Sequence, residues 1–195
     1  MNRPLLLSTD NKHKLGEFRE ILAPMGYIIY SPSDVGLSHV EVLEDGKSFK
    51  ENAYKKAKAY SDLIDYPVIA DDSGLCIDAL DGFPGIYSAR FASSCGGYPA
   101  AYKEINAKLE GKDRKAHFHC CICLLEKGRK DLYFEGDCYG HLLQAPEGSD
   151  GFGYDPIFFS DELGQSFASA GEEAKNRVSH RKKAIAKLAV YLAIK

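Results

Sequence analysis

Residues 68–90, VIADDSGLCIDALDGFPGIYSAR, decide how the rest of the chain is read. They open on a short apolar run, Val68 to Ala70, long enough for a buried strand and too short for a helix. The run ends in two adjacent carboxylates, Asp71 and Asp72, followed by Ser73 and Gly74. Gly82, Pro84 and Gly85 then break the chain before Tyr87, Ser88 and Arg90. Desolvating a charge is expensive, so acids at the end of a buried strand need a sheet edge, a cleft or a cation. In open α/β sheets ligands bind beyond the carboxyl ends of strands, so the position itself marks a candidate site.

Working outward, Leu5 to Leu7 reads as a first buried strand that runs into the polar turn Ser8-Thr9-Asp10-Asn11-Lys12-His13-Lys14. Leu15, Phe18, Leu22 and Met25 recur at helical spacing, which predicts a helix over about 13–24, stopped by Pro24 and Gly26. A strand, polar turn and helix in that order aim backbone N–H groups at anions, and Lys12 and Lys14 add positive charge. The glycines of a Walker loop are missing. Residues 27–30 predict a second strand, and residues 31–45 a loop carrying Glu41, Glu44 and Asp45. Phe49, Ala53, Ala57, Tyr60 and Ile64 mark a second helix, on which Asn52 and Lys56 share a flank. Tyr102, Ile105 and Leu109 suggest a third helix, ending at Gly111.

Residues 116–125, AHFHCCICLL, and residues 131–138 flank a glycine-containing tetrapeptide and read as a hairpin. His117, His119, Cys120, Cys121 and Cys123 tempt a zinc assignment, but the later ligand pair of a structural site is missing. On a strand, Cys120 and Cys123 face opposite sides, so buried cysteines are the better reading. Residues 144–154, QAPEGSDGFGY, form a glycine-rich loop in which Phe152 stands between two glycines, a natural platform for a flat ring. A short strand over 157–159 follows. A final helix over about 172–194 buries Val178, Ile185, Leu188 and Leu192. Its first turns carry Lys175, Asn176, Ser179, His180 and Arg181, a basic start that opposes the macrodipole unless it receives anions or carbonyl oxygens.

A chain of 195 residues with 45% hydrophobic content can bury a substantial core. The net charge of −3 and a pI near 6.1 argue against a nonspecific nucleic-acid binder. No apolar run reaches the roughly 18 residues needed to span a bilayer, and the three leucines near the start are too few for a signal-peptide core. A cytoplasmic protein with reduced cysteines is expected. A basic turn, paired aspartates, a Gly-Phe-Gly loop and a His-Arg pair would suit phosphates, a divalent cation, a flat ring and its polar edge. Asp72 and Glu44 would supply the oxygen ligands that Mg²⁺ prefers, with waters filling the remaining positions.

Taken together, these motifs closely resemble the family of inosine/xanthosine triphosphate pyrophosphatases, which hydrolyse noncanonical purine nucleoside triphosphates. The resemblance covers nearly the whole chain. It rests on residues 8–14, on Ser48-Phe49-Lys50-Glu51-Asn52-Ala53 with Lys56, and on Ala70-Asp71-Asp72-Ser73-Gly74-Leu75. Pro84-Gly85-Ile86-Tyr87-Ser88-Ala89-Arg90, Gly151-Phe152-Gly153-Tyr154-Asp155-Pro156, Lys175 and Ser179-His180-Arg181 complete it. It implies an α/β fold, with a mixed sheet flanked by helices, in an elongated two-lobed single domain over 1–195 with a central substrate cleft. It also implies cleavage of ITP, dITP or XTP between the α- and β-phosphates, Mg²⁺ as cofactor and a homodimer; the charge balance and the lack of a spanning run add the expectation of no nucleic-acid or membrane partner.

Carried over residue by residue, the resemblance makes Asp72 the general base and a metal ligand, with Glu44 the second ligand and Glu41 the next candidate. Thr9, Asp10, Asn11, Lys12, His13 and Lys14 would form the phosphate-binding turn. Many relatives carry Gly or Asn at the place of Asp10, so its acidic side chain must turn away from phosphate. Lys56 would supply a second positive charge and Ser73 a substrate contact. Phe152, Gly153, Tyr154 and Asp155 would hold the base, with Phe152 stacked on it. Lys175, His180 and Arg181 would meet the purine end. Donors there suit the 6-oxo group of hypoxanthine and xanthine and mismatch the 6-amino group of adenine. Asp71 is a supporting neighbour, and residues 84–90 are scaffold. The competing readings are a haloacid-dehalogenase-type phosphatase, whose aspartates would lie two apart, a catalytically silent nucleotide-binding module, and a pyrophosphatase of modified pyrimidine nucleotides.

Overall fold

The computed structural model describes residues 3–195. Its strands are β1 (Arg3–Leu7), β2 (Tyr27–Tyr30), β3 (Val68–Ile77), β4 (Lys115–Leu125), β5 (Leu132–Leu142), β6 (Phe158–Ser160) and β7 (Gln165–Ser166). They form a seven-stranded sheet in the order β2-β1-β3-β4-β5-β6-β7. β1 pairs in parallel with β2 and β3, and β6 pairs antiparallel with β5 and β7, so the sheet is mixed, as expected. β4 and β5 are neighbours joined by residues 126–131, a link too short for a parallel crossover, which makes them the expected hairpin. The helices are α1 (Lys12–Leu22), α2 (Phe49–Ser61), α3 (Ser88–Ser94), α4 (Tyr98–Lys108), α5 (Phe167–Ala170), α6 (Glu172–Val178) and α7 (His180–Ala193).

The chain divides into two compact units. The first takes residues up to 72, 120–136 and 181–195, and the second takes 73–119 and 137–180. In the first, strand alternation gives two separate cores. Leu5, Leu7, Ile69, Ile122 and Leu124 pack with Leu15, Phe18 and Leu22 of α1 and with Ile185, Leu188 and Leu192 of α7. Leu6, Val68, Ala70 and Leu125 face the other way and pack with Ala53, Ala57 and Tyr60 of α2. Cys120 lies in the first of these cores and Cys123 in the second, the opposed placement expected of a strand. Burial pushes the Cys123 thiol up to about 12, which makes it inert at neutral pH.

The second unit gathers Leu75, Ile77, Tyr102, Ile105, Phe118, Phe158 and Phe167 around α3, α4 and α5. Here residues 84–88 do the scaffolding work expected of them. Ser88 Oγ donates to the Gly85 carbonyl at 2.7 Å and accepts the Leu75 N–H at 2.9 Å. That packing needs a glycine at 74, because a Cβ there would lie 2.1 Å from the Gly85 oxygen and 2.7 Å from Ser88 Oγ. Gly74→Ala is therefore expected to destabilise the protein by about 1–3 kcal/mol, read as a lower melting temperature.

Three expectations need correction. β3 runs for ten residues, Val68–Ile77, so Asp71 and Asp72 lie inside the strand and not at its end. The final helix is two helices, separated by Ser179 in an extended conformation (φ −62°, ψ 152°). α6 accordingly begins with Glu172 and Glu173 and carries Lys175 in its last turn, charges that suit its dipole at both ends, while His180 and Arg181 open α7. Ile64 lies beyond the end of α2, and α3, α5 and β7 were not anticipated.

Candidate active site

The two aspartates stay buried inside β3 because each meets cations on its own side of the strand. Asp71 follows Ile69 toward α1 and α7. Its Oδ1 accepts from Lys14 Nζ at 3.0 Å and its Oδ2 from Arg181 Nε at 3.1 Å. Arg181 Nη1 also donates to Glu17 Oε1 at 2.7 Å. All four groups therefore form one neutral network of two acids and two bases. Burial raises the Asp71 pKa, but Lys14, Arg181 and Lys56 outweigh it and hold the carboxyl well below its ordinary range.

Asp72 follows Ala70 toward α2, where Lys56 Nζ donates to its Oδ1 at 2.9 Å. The same ammonium lies 3.1 Å from Glu44 Oε2 and donates to the Asp71 carbonyl at 3.3 Å. Burial is the largest influence on Asp72 and raises its pKa. Lys56 opposes that rise, while the charges of Asp71 and Glu44 add to it, so the net shift is upward. Lys56 is also raised: burial lowers it, but three surrounding carboxylates prevail. Asp72 Oδ2 is buried without a hydrogen-bond partner among the described residues. An under-compensated carboxylate with an orphaned oxygen, beside a second acid, is a donor set that fits a hard divalent cation.

Local sequence places these side chains. Asn11 caps α1, its Oδ1 accepting the Lys14 N–H at 3.1 Å, and Thr9 Oγ1 accepts the Asn11 N–H. Asp10 turns away, as expected of it, to accept the Ser33 N–H at 3.0 Å. Lys12 and His13 are exposed on the first turn. Ser48 caps α2 and accepts the Glu51 N–H, while Glu51 reaches back to the Lys47 N–H, a variant of the capping box. Asn52 Oδ1 accepts the Gly46 N–H at 2.8 Å, which ties down the loop carrying Glu44. Glu44 thus shares Lys56 with Asp72, whereas Glu41 is exposed.

In the second unit, Asp155 organises the glycine-rich loop. Its Oδ2 accepts the Phe152 N–H at 2.9 Å and Lys175 Nζ at 2.5 Å. Lys175 Nζ also lies 4.4 Å from the Phe152 ring centroid, a cation–π contact. Gly151 is required by this packing, because a Cβ there would sit 2.3 Å from Asp155 Oδ2. The loop is anchored by the Tyr102 hydroxyl on the Gly153 carbonyl and by the buried Tyr154 hydroxyl, which donates to the Ser88 carbonyl at 2.7 Å. The outcome is a rigid turn that displays Phe152 with 39% of its surface exposed.

The Ham1 family model matches residues 5–191. The chain belongs to the Ham1 family. It is 43% identical over 191 residues to a Geobacter sulfurreducens protein named dITP/XTP pyrophosphatase, covering 96% of each chain. Its fold is that of the Staphylococcus aureus Ham1 protein (TM-score 0.89, 34% identity, 98% of each chain). A HAM1 protein from Coxiella burnetii is equally similar, with a TM-score of 0.90 and 32% identity over 99% of this chain and all of that one.

Seen with this membership, the expected site residues fall into groups. Lys14 joins Asp71 and Arg181. Lys56 joins Asp72 and Glu44. Phe152, Asp155 and Lys175 form the third group. His180 and Arg181 part company despite being adjacent: the His180 ring stacks on Phe118, 4.9 Å between centroids, while Arg181 is committed to Asp71 and Glu17. Tyr154 supports its loop from within the core, and Ser73 follows Asp72 half-buried on β3. Arg90 lies on the surface over the Tyr87 ring. Sequence reasoning missed Glu17, whose signal was its position one helical turn from Lys14 on the buried face of α1. It also missed Tyr102 and undervalued Asp71.

Proposed function

We propose that this Ham1-family protein hydrolyses noncanonical purine nucleoside triphosphates, ITP, dITP and XTP, to the nucleoside monophosphate and pyrophosphate. The observation that carries the chemistry is the buried, partnerless Oδ2 of Asp72, on a carboxylate whose pKa burial pushes upward. Such an oxygen has a free lone pair and raised basicity, which suit it to orient and deprotonate a water attacking the α-phosphorus. Lys14 gives one N–H to Asp71 and keeps the others for phosphate oxygens. Asp72 and Glu44 would hold Mg²⁺, whose charge offsets that of the triphosphate.

The exposed face of Phe152 takes the base, while Lys175 packs against the ring through its cation–π contact and pairs with Asp155. Phe152→Ala is expected to raise KM for ITP about 10- to 100-fold with little change in kcat, the loss of one base–aromatic stack of ~1–3 kcal/mol. Steady-state kinetics check this, and an unchanged KM would remove Phe152 from the role. The resemblance further implies a homodimer, tested by mass in solution. The function itself is tested by a panel of ITP, XTP, dITP, ATP, dUTP and dTTP with Mg²⁺. Pyrophosphate release from the first three is expected. Equal hydrolysis of ATP, or stepwise orthophosphate release, would overturn it.

A further inference from the structure

The Lys56 ammonium stands among three oxygens, two of which accept its hydrogen bonds. An ammonium has three donors, and three oxygens surround this one: Asp72 Oδ1 at 2.9 Å, Glu44 Oε2 at 3.1 Å and the Asp71 carbonyl at 3.3 Å. Lys14, by contrast, meets a single carboxylate oxygen on the other side of β3. A lysine whose task was only to await phosphate would not be spent in this way. Its two side-chain partners are the very carboxylates that the reading above gives to the metal.

We propose that Lys56 is a placeholder for the divalent cation, occupying the position between Asp72 and Glu44 in the nucleotide-free protein and turning to the phosphates only when the metal displaces it. Two neighbouring carboxylates repel each other, and the ammonium holds them together with one positive charge. A divalent ion would offer two charges to the same two carboxylates. Its entry costs the displaced ammonium these oxygens, which a triphosphate replaces. Glu44 is the half-exposed partner and Asp72 the buried one, so the exchange needs movement only on the solvent side. Metal and triphosphate then each strengthen the binding of the other, as linkage requires, and metal alone binds weakly.

This inference rests on the metal-site part of the proposed function, and its test needs no nucleotide or turnover. Mn²⁺ binding to the full chain is measured by electron paramagnetic resonance. Lys56→Met is expected to bind Mn²⁺ about tenfold or more tightly than the wild type, since a positive charge within hydrogen-bond distance of both ligands is gone. Lys56→Gln, which keeps polarity for a chain that tolerates Met poorly, is expected to do the same. Lys14→Met should leave the affinity unchanged, and Asp72→Asn placed in the Lys56→Met chain should abolish the gain. Unchanged or weaker Mn²⁺ binding in both Lys56 variants overturns the placeholder, as does an equal gain in Lys14→Met. Pyrophosphate release from ITP by the wild type is scored separately. If it persists while the Lys56 variants bind no tighter, the function stands and the placeholder falls.

Discussion

Asp72→Asn is expected to lower kcat for ITP by about 10²- to 10⁴-fold, the usual worth of a positioned general base, while the protein stays folded. Asn keeps the shape of the side chain and an oxygen for Lys56, but it has no basic lone pair to offer at the second position. The sign of the stability change follows from the pKa direction. Asp72 is raised above its ordinary value of 3.8 in the folded protein, so its ionised form costs stability above that value. Removing the charge should therefore leave the melting temperature unchanged or higher. Activity in the wild type should fall as pH drops through the raised value, because the base acts ionised. A variant with full turnover would remove Asp72 from its role, and one that lost activity by unfolding would show it in the melting curve.

The largest effect on stability is expected from Arg181→Met. Arg181 is almost fully buried and serves two buried acids, Asp71 and Glu17. Removing it leaves both without their shared cation, which costs about 3–5 kcal/mol. In a chain of this size that corresponds to a fall in melting temperature of roughly 10 °C or more. A smaller loss would mean that Lys14 alone neutralises Asp71. The network also sets an acid limit. Asp71 is depressed in the folded state, so its contribution is present above the ordinary carboxyl value of 3.8 and drains away as pH falls below it toward the folded value.

Much of this was legible in the sequence because it is local. The alternation of Leu5, Leu6 and Leu7, the caps at Asn11 and Ser48, and the 3.6-residue spacing of Phe49, Ala53, Ala57 and Tyr60 depend on neighbours in the chain. The errors fall where distant partners decide. β3 looked as if it ended at Ala70 because two carboxylates do not belong in a strand interior. They do belong once Lys14, Lys56 and Arg181 arrive from α1, α2 and α7, and periodicity cannot register partners so far away in sequence. The break at Ser179 involves neither Gly nor Pro. Serine is a favoured residue for opening a helix, and that signal was masked by the apolar spacing that continues from Val178 to Leu192. The His180-Arg181 pair shows the same limit: successive residues of a helix point about 100° apart, so the His180 ring meets Phe118 while Arg181 meets Asp71 and Glu17, all partners far away in sequence.

The alternation of β3 has a consequence for which changes the chain can accept. Asp71 and Asp72 differ in duty only because successive residues point to opposite faces, and the pairing of Leu6 with Val68 and Leu7 with Ile69 fixes which is which. A one-residue slip of this strand would bring one acid into the other's place and carry the other out of the pair. Slipped one way, Asp71 would meet Lys56 and Glu44 while Ala70 faced Lys14 and Arg181; slipped the other way, Asp72 would meet Lys14 and Arg181 while Ser73 faced Lys56 and Glu44. The composition would be unchanged, yet one of the two carboxylate positions would be lost. Insertions and deletions between α2 and β3 are thus tolerable only if the loop absorbs them before Val68. Which of the two acids faces Lys56 and Glu44 is in that sense a property of registration as much as of residue type.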